Sequence, residues 1–491
     1  MGKTPQANVE SLADVRNVRA MLADAEPVRV VRQLDPRPGE KRGGIEPGKW
    51  EPDELGLPPD CPVKPLGVAG DRYWFLDAIG QVRSFDPPYG KLTMLGLFGG
   101  RLDYLAWAWP RWGKDRTING FANEEALAVL MKACNAKGPW EAIDKMRGRG
   151  CWTDGVGNLV MHVGNKVVCA GRAEEPGEID GYVYPTRARI PAPWPLKKGE
   201  ELPYNPARQL RIILRSWNWS RPGIDPHLLL GWIGAAFLGG ALPWRPMAFI
   251  TGDKATGKST LQALLKNVLG DWLLQAADTT AAGLYQHVGL DSVPIAVDEL
   301  ESESDVRKQK AVLKLARLAS SGAVMLRGGD RHNPVEFKAW SAFLFSSINA
   351  PPLEPQDLSR MALLRLDRLP PNQKPPQLDP KAFGILGRCI LRRLIEEWPR
   401  FHETFNAYAE ELQAGGMDGR GQAQFGTLLT CADLIEFEGW DDERRRFAMD
   451  VDGDLVPWRE LLRPSAMHEY EDQIENWRAC LNHMLSVRVE A

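Results

Sequence analysis

Residues 249–260 read FITGDKATGKST, and Gly252 to Ser259 satisfy G-x-x-x-x-G-K-[ST] at every fixed position. Such a loop holds a nucleotide's phosphates. Its glycines let backbone N–H groups turn inward, Lys258 neutralises the outer phosphates, and the Ser259 hydroxyl suits Mg²⁺. The candidate contacts are Gly252, Asp253, Lys254, Ala255, Thr256, Gly257, Lys258, Ser259 and Thr260. A nucleotide's metal also needs a carboxylate at the end of a neighbouring strand, and VPIAVDELES at 293–302 supplies one. Asp298, 40 residues after Lys258, is placed to hold Mg²⁺ through its water shell, and Glu299 to orient and deprotonate the attacking water. A water-directed glutamate favours hydrolysis over transfer to a small-molecule acceptor.

Two further polar residues fit this chemistry, each with a plainer alternative. Asn349 closes AFLFSSIN, where an amide can hold the attacking water or sense the γ-phosphate; before APPL it is also an ordinary turn former. Arg360 precedes an apolar run in LSRMALLRLDRL, and an arginine there can stabilise charge on a phosphoryl group held by a neighbouring subunit. Arg365 and Arg368 compete for that role, and a plain surface arginine is the alternative.

The elements that must position these residues can be read from periodicity. MAFIT at 247–251 is a buried-strand run feeding the loop. After it, Leu261, Leu264, Leu265, Val268 and Leu269 recur at helical spacing up to Gly270, so a helix amino terminus points its dipole at the phosphates. Residues 293–297 and 342–348 read as two more buried strands. Between them, DVRKQKAVLKLARLA is a helix made basic by Arg307, Lys308, Lys310, Lys314 and Arg317; a solvated face is the ordinary reading, a subunit contact or channel lining the other. SSGAVMLRGGDRHNPVEF alternates at 324–326 and 335–337 like hairpin arms, with Arg327, Arg331 and His332 at or near the tip.

A chain of 491 residues has room for about three domains of the usual 100–200 residues. We divide it into a Pro/Gly-rich arm (1–61), a small α+β domain (62–180), a linker and helical segment (181–243), an α/β core (244–369) and a helical carboxy-terminal region (370–491). The net charge of -3 excludes a surface that is basic throughout, so any nucleic-acid contact must be local. Seven cysteines without C-x-x-C spacing indicate neither a zinc site nor a disulfide framework, and a reducing cytoplasm is expected. MGKTPQANVE has no apolar signal core, and Gln6 stands where a myristoylation signal wants Ser or Thr, so no export or lipid anchor is expected. LLLGWIGAAFLGGALPW at 228–244 is shorter than a membrane span and reads as a buried helix, with Gly231, Ala235 and Gly239 allowing close approach. Arg420, in GMDGRGQAQFG, is a candidate for reaching the nucleotide from a helical lid.

With GDKATGKS, VPIAVDE, FLFSSIN and Arg360 in that order, residues 244–369 resemble AAA+ ATPases. The short interval of 91 residues from Lys258 to Asn349 is similar to superfamily 3 helicases, of the type found in phage and prophage replication modules. The resemblance implies a P-loop core with a central parallel sheet, and ATP and Mg²⁺ bound between subunits of a ring, expected to be a hexamer. It also implies a hairpin that projects into the ring's channel and grips single-stranded or forked DNA, here through Arg327, Arg331 and His332. The tip departs from the family's lysine and histidine pair: it reads GGDRH, with Asp330 offsetting charge, and an ordinary exposed turn is the alternative. Related replication modules often pair such a protein with a primase; nothing in the amino-terminal region marks one, so a separate primase is the expected partner. The implied function is a DNA helicase or single-strand translocase in a bacterial host's cytoplasm. The alternative is a protein-remodelling ATPase, a helicase loader or replication initiator, that needs no grip on DNA.

Overall fold

The computed structural model describes residues 40–85, 90–169, 172–195, 202, 205–277, 279–298, 306–328, 334–348, 353–370, 376–438, 447–449 and 454–471. At its centre are five strands: β1 (Met247–Thr251), β2 (Leu274–Ala276), β3 (Ile295–Val297), β4 (Phe343–Ser347) and β5 (Met361–Arg365). They form one parallel sheet in the order β2-β3-β4-β1-β5. All-apolar strands are what a parallel sheet covered on both faces requires. The alternation assigns the faces. Ala248, Ile250, Leu344, Ala362 and Leu364 belong to the large helical core, whereas Met247, Phe249, Phe343, Phe345, Met361 and Leu363 pack with helix Ala281–Val288 and with residues 312–319 of helix Val306–Ser321.

The strand order matters for function. The chain leaves β1, crosses to β2 at the far edge, three positions away, comes back one place as β3, and later inserts β4 between β3 and β1. Register places Thr251 beside Ser347, and Val297 beside Phe345, so β1, β3 and β4 finish at one rim. Ligand sites in open parallel sheets form at such carboxyl ends.

The helical side is built by α1 (Asp225–Leu238), α2 (Lys258–Leu269), α3 (Pro380–Glu397), α4 (Phe401–Ala414) and α5 (Gly419–Glu436). As its sequence predicts, α1 is a buried helix, and the Trp232 indole pins it to the sheet by donating to the Phe343 carbonyl at 3.0 Å. A methyl group at Gly231 would collide with the Leu428 carbonyl of α5, and one at Gly387 of α3 with the Val268 carbonyl of α2. Both contacts need the bare backbone of glycine. Among the described residues no helix is long and apolar enough to cross a membrane.

The outer edge of β5 is closed by side chains. Buried Glu469 accepts from the Leu363 N–H at 2.8 Å, and Arg221 donates to the Leu363 carbonyl at 2.7 Å while pairing with Asp225 and Glu469. An edge strand so occupied offers no free ladder to another chain.

The amino-terminal region is α+β. A meander of strands (Lys64–Ala69, Arg72–Leu76, Val82–Phe85) packs with helices Lys91–Leu97, Leu102–Ala108 and Asn123–Lys137 around an aromatic core. Part of the Pro/Gly-rich segment belongs to this core: Leu57 is buried, the Trp107 indole donates to the Ile45 carbonyl at 3.1 Å, and the Trp50 indole to the Ala108 carbonyl at 2.6 Å. A four-stranded antiparallel sheet between Gly150 and Glu174 follows. Arg149 joins it to the central sheet, gripping Asp291 just ahead of β3 with Nε and Nη2 at 2.9 and 2.7 Å. The carboxy-terminal region is helical as expected, with a small unanticipated hairpin, Phe447–Met449 with Leu455–Pro457. The helical pattern read beyond residue 471 lies outside the described residues.

Candidate active site

The loop runs from the end of β1 to the start of α2. Gly257 caps the helix with φ +89, and a side chain there would be strained and would meet the Trp217 indole nitrogen at 2.8 Å. Ala255 also takes a left-handed conformation, φ +66, unusual for a residue with a side chain. Buried Thr256 donates its hydroxyl to the Asp253 carbonyl at 3.0 Å. The Lys258 ammonium donates to the carbonyls of Gly252 and, at 3.0 Å, Asp253, so the charge is held against the loop. Asp253, Lys254, Ala255 and Ser259 are exposed, while Gly252, Gly257, Lys258 and Thr260 are half-buried.

Asp298 follows β3 at the same rim. Its N–H donates to the Ala276 carbonyl at 2.9 Å, and its carboxylate accepts the Ser346 hydroxyl of β4. The Thr251 hydroxyl donates to the Ile348 carbonyl at 3.1 Å, tying the ends of β1 and β4. Ser346 was not singled out in the sequence, because its role depends on β4 lying next to β3. Replacing Ser346 by alanine releases the carboxylate's orientation; we expect roughly tenfold more Mg²⁺ for half-maximal ATP turnover with the fold intact, read by Mg²⁺ titration.

Glu299, Asn349, Arg331 and His332 lie outside the described residues. Arg327 is on strand Val324–Gly328, which pairs antiparallel with Pro334–Lys338; its side chain is not among those described. The arms thus form where alternation predicts them. Phe337 packs on Tyr285 with centroids 5.1 Å apart, and Lys338 pairs with Asp144 of the amino-terminal region at 2.9 Å, which seats the hairpin base.

The three candidate arginines separate. Arg360 precedes β5, at the opposite end of the sheet from the loop; five residues at about 3.3 Å each put it roughly 16 Å away. Its Nη1 donates to the Gln356 carbonyl at 2.8 Å, the guanidinium lies 5.9 Å from the Trp244 ring, and its buried Nε has no partner among the described residues. Burial, then the charges of Arg420 and Arg317, draw its pKa below the usual arginine value, against Asp357. Arg365 and Arg368 instead lie at the loop end. Arg365 is in register with Thr251, and the exposed Arg368 and Asp253 side chains approach to 3.6 Å.

Arg420 is corrected by the same geometry. One turn after it, Gln424 bonds both backbone groups of Met247, at 3.3 and 2.7 Å, where β1 begins. Arg420 therefore shares the pole of Arg360 and does not overhang its own loop. Helical periodicity places it on α5 without saying which end of the sheet α5 visits.

A brace from the linker also went unread. In RSWNWS, Trp217 donates to the Gly257 carbonyl at 3.1 Å, Asn218 accepts from the Asp367 N–H at 2.8 Å and donates to the Arg368 carbonyl at 2.9 Å, and Ser220 N–H reaches the Arg365 carbonyl at 2.9 Å. This run fixes the loop's far side and the strand end carrying Arg368.

The donor set fits a Mg²⁺–nucleotide. A serine hydroxyl stands at a helix amino terminus, a carboxylate is held in place by Ser346, and an ammonium lies against the loop; all are hard oxygen ligands or phosphate partners.

These features define a mixed α/β protein: a five-stranded parallel sheet, a glycine-rich loop between strand and helix, and a helical carboxy-terminal region. Among solved structures the chain is similar to the A-form apo structure of the NrS-1 C-terminal region, with TM-score 0.33 and 11% identity over 67% of this chain and 64% of that one. It thus spans somewhat under two thirds of that neighbour. A second A-form apo structure of this region gives TM-score 0.34 and 11% identity over 76% and 87%, and a further apo structure 0.33 and 10% over the same shares. No family model and no curated protein matches the chain.

Proposed function

We propose that the chain is an ATP-hydrolysing AAA+ motor, resembling superfamily 3 helicases, that works as a ring on single-stranded or forked DNA in the replication of a phage or other mobile element. The observation that carries this reading is the separation of the loop and Asp298 at one pole from Arg360 and Arg420 at the other. A chain with the two halves of a phosphoryl-transfer site at opposite ends completes it only by meeting a second copy head to tail, and such contacts form a ring where the rotation between copies closes.

In that reading Lys258 and the amino terminus of α2 bind the phosphates and orient the terminal one. Ser259 and Asp298 hold Mg²⁺, which supplies charge neutralisation on the phosphate oxygens. Glu299 takes the proton of the attacking water, which Asn349 helps to position, and Arg360 of the adjoining subunit meets charge developing on the phosphoryl group. Each change of nucleotide state shifts one subunit against the next and carries the hairpin at 324–338 along the channel.

The direct test of function is DNA-stimulated turnover. Single-stranded DNA is expected to raise the ATPase rate, and Arg331→Ala with His332→Ala to remove that stimulation and strand separation while leaving the DNA-free rate. An unstimulated ATPase indifferent to both changes points instead to a protein-remodelling machine.

A further inference from the structure

The amino-terminal region carries a hairpin that contributes nothing to the nucleotide loop. Pro110–Trp112 pairs antiparallel with Ile118–Phe121, matching Pro110 to Phe121 and Trp112 to Ile118 around a bulge. Its turn is built stiffly. Gly113 N–H donates to the Thr117 carbonyl at 2.8 Å, Arg116 takes a left-handed φ of +59, and the Asp115 carboxylate accepts the Thr117 hydroxyl at 2.7 Å. The one acidic side chain of the turn is thereby engaged in holding its shape.

What the hairpin presents is unusual for this chain. Arg111, Trp112, Lys114 and Arg116 are all exposed, and none of the three cations forms an ion pair among the described residues. Trp112 is 56% exposed, and it is the one described tryptophan that is; every other is buried or half-buried. Trp109, three residues earlier, is in the core against Trp50 and Phe98, so the same segment buries one indole and shows the next to solvent. At the hairpin's base the Lys91 ammonium stands 5.5 Å from the centre of the Phe121 ring, extending the basic line. On a chain of net charge -3 this concentration is local.

An exposed indole flanked by exposed guanidinium and ammonium groups offers a flat face for a base and charge for the phosphates on either side, the combination used by sequence-tolerant single-strand binders. We propose that the 110–121 hairpin is a binding site for single-stranded nucleic acid, with a base stacked on Trp112 and the backbone along Arg111, Lys114 and Arg116. The site owes nothing to the nucleotide loop and stands whether or not the chain is a motor.

The test is fluorescence anisotropy of the full chain with labelled oligothymidylate, without nucleotide and with Arg331→Ala and His332→Ala in every sample to silence the channel hairpin. Trp112→Ala is expected to weaken binding about tenfold, within the roughly 5- to 150-fold that one lost stack is worth, and Trp112→Phe to restore most of it. Arg111→Ala with Lys114→Ala and Arg116→Ala should flatten the dependence of log affinity on log salt by about 2, from about 0.7 per cation. Thermal melting should not move, since these side chains are exposed, and iododeoxyuridine should photocrosslink to Trp112. Affinities within twofold of the parent with an unchanged salt slope, losses confined to duplex DNA, or crosslinks only elsewhere overturn the proposal. A failed ATPase with these binding effects intact would instead count against the motor reading alone.

Discussion

Replacing Lys258 by alanine should lower ATP turnover by about 10²–10³-fold or more, because it removes the ammonium held against the loop carbonyls, which in the proposed mechanism meets charge on the terminal phosphates. Nucleotide binding should weaken as well, since the same charge serves the ground state. Folding should survive. The Lys258 bonds to Gly252 and Asp253 are local to the loop, and the α2 packing residues Leu261, Leu264, Leu265 and Val268 are untouched. Steady-state hydrolysis, equilibrium nucleotide binding and a thermal melt decide it together. Turnover within tenfold of the parent, with a normal melt, would remove the loop from the chemistry.

Arg360→Ala should be at least as damaging to turnover and harmless to binding. An arginine that stabilises phosphoryl-transfer charge from a neighbour is worth about 10³–10⁵ in rate. The side chain lies roughly 16 Å from its own loop, so the subunit that loses it keeps its own nucleotide contacts. Its half-buried seat beside Trp244, with Nε lacking a partner among the described residues, leaves a guanidinium with hydrogen-bonding capacity to spare. Arg420→Ala should act in the same sense, more weakly, being exposed. Arg368→Ala should instead shift the apparent affinity for nucleotide, because Arg368 faces Asp253 of its own loop. Arg360→Ala that weakens binding but spares the rate would reverse the assignment of poles.

How much of this was legible follows the range of the interactions. The loop, its strand and its helix lie within about two dozen consecutive residues, so apolar spacing and two glycines suffice to read them. Apolar runs likewise betray β3, β4 and β5, and alternation finds the arms of the 324–338 hairpin. What stayed hidden depends on which distant elements become neighbours. Ser346 serves Asp298 only because β4 inserts beside β3. Arg420 changes pole because Gln424 grips Met247, 177 residues away in sequence. The RSWNWS brace meets a loop 40 residues downstream of Trp217, and neither end advertises the other. In the segment at 45–57 proline and glycine predict an irregular backbone correctly, but they say nothing of whether Trp50 and Leu57 find a core.

In the proposed motor one ATP site is built from the loop of one subunit and Arg360 of the next, and the ATPase rate of mixed subunits reports directly on that sharing. Lys258→Ala and Arg360→Ala chains, each nearly inactive, are combined and allowed to exchange. Activity is expected to return to a substantial fraction of the parent's, because some mixed interfaces join an intact loop to an intact arginine. A mixture no more active than its two components, with exchange shown to be complete, would contradict that sharing.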